Sequence, residues 1–165
     1  AHGLARSAQL QEASRQRWAA AGDASFLLEP NLKDSRGGLR DWQALRALAA
    51  AQLLDIPAAA TQASGALLAL RVELHRQADR RVDVLRQQEQ AGVAARLGLI
   101  DADSALRMAN EAGRAISYAV DQAWRRIQAV RAGAQPSGAS ASIIRPDLMC
   151  SNGIIQVIDS VLFPA

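Results

Sequence analysis

Leu28-Glu29-Pro30-Asn31-Leu32-Lys33-Asp34-Ser35-Arg36-Gly37-Gly38-Leu39-Arg40-Asp41 is the stretch around which the chain is organised. It gathers polar, charged and glycine residues within a sequence otherwise rich in alanine and leucine. Lys33 is the single lysine among 19 basic residues, against a strong preference for arginine. The apolar run Phe26-Leu27-Leu28 leads in, and Pro30 removes a backbone donor while biasing Glu29 toward extended geometry. Gly37-Gly38 then permits positive φ and close backbone approach. A helix is predicted to follow at once, with Leu39, Trp42, Leu45, Leu48 and Leu53 near helical spacing. A strand, a glycine turn and a helix N-terminus in that order aim backbone N–H groups and a positive dipole end at an anion. Lys33, Arg36 and Arg40 add charge there. The plainer alternative is a connecting turn with solvated arginines, and spacing alone leaves both open.

Outward from this motif the pattern is helical. A helix is predicted over residues 4–20, broken by Gly22-Asp23. The motif helix runs to about Leu54, closed by Asp55-Ile56-Pro57. A third spans Thr61 to Gln77, with Leu67, Leu70 or Arg71, Leu74 and Ala78 on one stripe and His75 beside it as a packing residue. After a polar break at 78–83, helical spacing resumes from Val84 to Gly98. Asp101-Ala102-Asp103-Ser104 opens the most regular amphipathic helix, from Leu106 to Val130, ending at Gly133. Its Asp-x-Asp is a helix cap rather than a metal-binding pair, because no third acid stands near it. Residues 134–142 form a linker of alanine, serine, glycine and proline. In the tail, Asn152-Gly153 between apolar runs signals a β-hairpin. The fold class is therefore mainly α: a bundle of four to five helices with a short C-terminal β-hairpin.

Composition narrows the functions. Half of the residues are apolar and 4% aromatic, so alanine and branched aliphatics must build closely packed helices. A net charge of +3 with no basic run gives no argument for nucleic acid. One cysteine excludes an internal disulfide, and with two histidines it disfavours a structural zinc site. No apolar run reaches the roughly eighteen residues of a spanning helix, so no membrane partner is expected. The start, Ala1-His2-Gly3, suggests a piece of a longer chain.

The segment Leu28 to Leu45, with its Glu-Pro-Asn-Leu-Lys and Gly-Gly-Leu-Arg-Asp core, resembles a signature of the bacterial PII uridylyltransferase/uridylyl-removing enzymes. It is also similar to the glutamine synthetase adenylyltransferase motif. Arg71, Leu74-His75, Arg80, Asp83, Leu85 and Gln90 fit a second pattern of that family, with Asp79 where glycine is usual. Arg114 and Trp124-Arg125-Arg126 fit as well, and the match covers roughly residues 1–132. The resemblance implies an all-helical domain following a nucleotidyltransferase domain. It implies that Lys33, Gly37, Gly38, Arg40 and Asp41 lie near nucleotide phosphates, with Asp41 orienting Arg40 or assisting a metal. His75, Arg80, Asp83 and Gln90 would serve domain packing or the substrate side. Mg2+ and UTP would be the cofactors of an intact enzyme, none held tightly by this piece. The partners would be a PII signalling protein and the missing nucleotidyltransferase domain, in the cytoplasm.

The catalytic Asp-x-Asp strands and the His-Asp pair of such enzymes are absent, so the piece is expected to be inactive alone. The last 25 or so residues, Ser151 to Pro164 above all, resemble the closing strands of a fasciclin (FAS1) domain, with Gln156 in place of a histidine. The domain reading is thus 1–133 helical, 134–142 linker and 143–165 tail. The alternatives are a non-catalytic helical interaction module and a FAS1-derived adhesion fragment.

Overall fold

The fold is taken from a computed structural model that describes residues 2–132, 143–150 and 153–158. These residues are mainly helical. In order the helices are α1 (His2–Ala21), α2 (Leu39–Ala50), α3 (Ala58–Ala78), α4 (Gln87–Arg96) and α5 (Ala102–Arg131). The chain divides into two compact units, residues 1–127 and 128–165. In the second, the linker at 134–142, the Ser151-Asn152 turn and the end of the tail lie outside the described residues.

The first unit is built around α5, whose 30 residues give a pillar of about 45 Å. Its buried side carries Ala105, Ala109, Ala112, Ile116, Ala119, Val120, Ala123 and Ile127. Small residues recurring at three- and four-residue spacing let neighbouring backbone approach closely. Leu45 and Leu48 of α2, Leu67, Leu70 and Leu74 of α3 and Val93 of α4 complete one aliphatic core. Aliphatics and alanine thus fill most of the centre, with Trp124 of α5 the one aromatic side chain in the buried cluster of described residues.

Boundaries follow local chemistry. Asp101 caps α5: its Oδ1 accepts from Ser104 N at 2.8 Å and from Ser104 Oγ at 2.6 Å. These two hydrogen bonds hold its carboxyl below the ordinary range. α3 starts after Pro57 and ends on Asp79 in the left-handed region (φ +48°). The conformation is the one glycine adopts most readily. Several boundaries differ from expectation, and α3 begins at Ala58 rather than Thr61. α2 stops at Ala50 rather than Leu54, because Leu53 N bonds back to Leu48 O around Gln52 at φ +57°. α4 begins at Gln87 rather than Val84, because residues 83–85 pair instead with the motif.

Candidate functional site

Residues 22–38 connect α1 to α2 as a loop that lies on α5. The strand anticipated before the glycine turn does not form. Phe26 and Leu28 are exposed, at 80% and 65%, and Phe26 N bonds to Asp23 O in a turn. Extended pairing is confined to two isolated bridges, Asp23 with Arg36 and Asn31 with Val84. The second bridge ties the motif to the α3–α4 connection: Leu32 N donates to Asp83 O at 2.7 Å, and Leu85 N donates to Pro30 O at 2.9 Å. The Asn31 side chain accepts from Lys33 N and Asp34 N, which tightens the turn. Gln90, buried in α4, donates to Leu28 O at 2.8 Å and Leu85 O at 3.2 Å.

Gly37 has φ +81°, and a Cβ there would sit 2.2 Å from Gly113 O on α5. Gly38 is extended, but a Cβ would sit 2.7 Å from Lys33 O. Gly113 in turn leaves room for Ala24. The double glycine therefore lets loop and helix backbones touch. The first amides of α2 are already engaged by the loop: Leu39 N with Leu32 O, Arg40 N with Lys33 O, Asp41 N with Gly38 O. Gly37 N donates to Asp41 Oδ2 at 2.7 Å and Gly38 N to Ser35 O at 2.8 Å. An anion at this helix start finds its backbone donors occupied.

Asp41 is fully enclosed. Besides Gly37 N, its carboxylate receives Trp18 Nε1 at 2.9 Å and pairs with Arg17, both from α1. Burial is the largest influence and pushes the carboxyl above its ordinary value; the Gly37 hydrogen bond, the Arg17 charge and the Trp18 hydrogen bond pull the other way. The expected link between Asp41 and Arg40 is corrected: Arg40 sits 2.9 Å from Asp34, and a closed-off Asp41 reaches no metal. Nearby, Arg36 pairs with Asp23 and Asp121 and lies over the Trp18 ring, 5.5 Å from its centroid. The contacts Arg17–Asp41 and Arg36–Asp121 span 24 and 85 residues, and no local pattern in the sequence announces either.

Lys33 and Arg40 remain partly open to solvent, at 34% and 50%. Lys33 Nζ lies 3.3 Å from Asp83 Oδ2, and Arg71 Nε lies 2.7 Å from Asp83 Oδ1. Burial acts to raise Asp83, but the hydrogen bond and charge of Arg71, joined by Lys33, outweigh it and hold the carboxyl below its ordinary range. His75 Nε2 is 3.8 Å from Asp83 Oδ1 and makes no hydrogen bond. Arg80 is exposed beside a small pocket next to Asp83. So Lys33, Asp83 and His75 are brought together, Gln90 braces the loop from behind, and Arg40 stands on its own carboxylate.

A groove of about 500 Å³ runs along the loop, lined by Arg17, Glu29, Asn31 and Asp34 among others. A larger hollow of about 660 Å³ between α3 and α5 is lined mostly by apolar residues, with Arg107 and Glu111 offsetting each other, so it lacks charge for an anion. Among the described residues no group of three or more His, Cys, Asp or Glu is placed to hold a metal. A resident Mg2+ does not fit these residues: Asp34 and Asp83 are taken by cations and Asp41 is enclosed. No helix among them is long and apolar enough to cross a membrane.

The architecture is thus a helical unit with a glycine-bearing loop clamped between α1, α5 and the α3–α4 connection. Residues 5–60, which span α1, that loop and α2, match the family model described as GlnD PII-uridylyltransferase. The chain is 48% identical over 120 residues to the bifunctional uridylyltransferase/uridylyl-removing enzyme of Streptomyces coelicolor, covering 72% of this chain and 14% of that enzyme. The enzyme of the same name from Mycobacterium tuberculosis is 38% identical over 151 residues, 86% of this chain and 18% of its own length. That of Corynebacterium glutamicum is 33% identical over 144 residues, 86% of this chain and 21% of its own. No solved structure matches. The chain therefore spans no more than about a fifth of the length of these relatives.

Proposed function

We propose that this chain is the helical, substrate-side segment adjoining the nucleotidyltransferase domain of a PII-protein uridylyltransferase, and that its loop forms one wall of the UTP site. The observation that carries the reading is the state of the two motif cations. Lys33 and Arg40 each rest on one carboxylate through a single donor, and both stay accessible. A lysine has three N–H donors and an arginine five, so most of their capacity is free for phosphate oxygens. Gly37, Gly38 and Asp41 belong to the same site as its scaffold, since they fix the path of the loop that carries Lys33 and Arg40. Asp83 and Gln90 brace that loop from the α3–α4 side, while His75 and Arg80 are assigned to domain packing or the substrate side.

Mg2+ arrives with the nucleotide and with acids of the domain absent from this chain, as the ion prefers few carboxylates plus substrate phosphates. Transfer of UMP to a PII signalling protein is then a property of the intact, cytoplasmic enzyme in nitrogen regulation, and the chain alone transfers none. The tail, 143–165, is read as a hairpin beyond the 134–142 linker, similar to the end of a FAS1 domain. Antiparallel backbone pairing of Ile143–Cys150 with Gly153–Ile158 supports the hairpin. Calorimetric titration of the purified chain with UTP tests the site. Weak binding that Lys33→Ala and Arg40→Ala each reduce, and that Arg125→Ala does not, is expected. Binding indifferent to both motif variants removes the reading.

A further inference from the structure

Arg71 stands outside the loop, on α3, yet meets the same carboxylate as Lys33. Asp83 takes one cation on each oxygen: Arg71 Nε at 2.7 Å on Oδ1 and Lys33 Nζ at 3.3 Å on Oδ2. The two charged ends are therefore separated by little more than a carboxylate and its two contacts. An arginine whose task is only to neutralise an acid does so most effectively with a fork of two parallel N–H bonds. Here the hydrogen bond to Asp83 comes from Nε alone, so the two terminal amino groups of Arg71 are not spent on that carboxylate. Two cations against one anion leave a surplus positive charge at a place one-quarter to one-third exposed. His75 Nε2, at the same oxygen and without a hydrogen bond, adds no negative charge.

We propose that Arg71 and Lys33, both held on Asp83, form a two-cation clasp for the terminal phosphates of a nucleoside triphosphate. This rests on the nucleotide reading above and extends it from the loop to α3. Asp83 acts through the two cations and is a positioning residue: it fixes two long side chains that otherwise lose rotamer freedom on meeting the ligand. Its backbone supports this, because Asp83 O accepts from Leu32 N and so joins the peptide next to Lys33 to the clasp.

The test is calorimetric titration of the full chain with inorganic tripolyphosphate and, separately, with UTP, each variant first checked for helical content. Arg71→Ala and Lys33→Ala are each expected to weaken tripolyphosphate binding about tenfold, the scale of one lost charge-assisted hydrogen bond. Arg71→Lys, which keeps the charge but not the planar pair of amino groups, falls between. Asp83→Asn is expected to weaken binding although it removes a negative charge; tighter binding would overturn its positioning role. Absence of tripolyphosphate binding, or binding unmoved by Arg71→Ala, overturns the clasp, and UTP binding that still depends on Lys33 then leaves the nucleotide reading standing. Tripolyphosphate bound through Arg71 and Lys33 with UTP bound no better supports the clasp and speaks against a nucleotide-specific site.

Discussion

Replacing Asp41 probes the link between α1 and the loop. Asp41→Ala leaves Gly37 N and Trp18 Nε1 without their acceptor inside a fully enclosed site. Each stranded buried donor costs about 1–3 kcal/mol. Arg17 loses its partner but keeps some contact with solvent, so its share is smaller. The sum is about 3–5 kcal/mol, the scale seen when one member of a buried pair is removed, and a large part of the roughly 5–15 kcal/mol that holds a domain folded. Asp41→Asn keeps the shape and one acceptor oxygen. Burial already disfavours the charged carboxylate and raises its pKa, so losing the charge matters less; about 1–2 kcal/mol is expected. The sign with pH follows: a carboxyl raised above its ordinary 3.8 stabilises the fold most below that value and contributes less as pH rises toward its folded value. The advantage of the wild type over Asp41→Asn is therefore larger at acid than at neutral pH. Urea unfolding of the three proteins, followed by far-ultraviolet circular dichroism, measures all of this. Equal losses for Ala and Asn, or an Ala loss below about 1 kcal/mol, would refute the buried lock.

Three further substitutions test neighbouring features. Gly37→Ala places a methyl 2.2 Å from Gly113 O at φ +81° and is expected to lower stability by about 3 kcal/mol in the same urea assay. Asp79→Gly relieves a left-handed residue at the end of α3 and should raise stability by about 0.5–1 kcal/mol, read as a higher urea midpoint. Asp83, whose carboxyl is held low by Arg71 and Lys33, contributes stability above its ordinary 3.8 that is lost as pH falls through its folded value. The stability gap between wild type and Asp83→Asn should therefore narrow as pH drops from about 5 toward 2, checked by urea midpoints at each pH.

Helix positions were legible wherever a local rule sets them. Asp101 and the small-residue stripe of α5 mark a boundary and a buried face through interactions within a few residues, whereas Pro57, expected to close α2 near Leu54, instead precedes the start of α3 at Ala58. The glycine pair was legible as a special backbone site, but not what it is special for. Its use against Gly113 depends on how a loop meets a helix 76 residues away, and the sequence holds no periodic trace of that contact. The resemblance implied that Asp41 orients Arg40 or assists a metal. The helix turns them apart, so Asp41 points inward to α1 and Arg40 outward to Asp34. Lys33 was singled out by composition, and Asp83 by resemblance; that they meet across 50 residues is tertiary information alone. Val84 and Leu85 read as helix because their apolar spacing is ambiguous over so short a run, and pairing with Pro30 and Leu32 decided the matter.

The central claim is that side-chain cations on a rigid loop, rather than the glycine amides, meet the nucleotide. Two-dimensional NMR of the isotope-labelled chain during titration with UTP tests it most directly. The account predicts shifts of the Lys33, Arg40 and Arg71 side-chain signals, with the Gly37 and Gly38 amides unmoved because Asp41 and Ser35 already hold them. Large shifts of those two amides with silent side chains would contradict it.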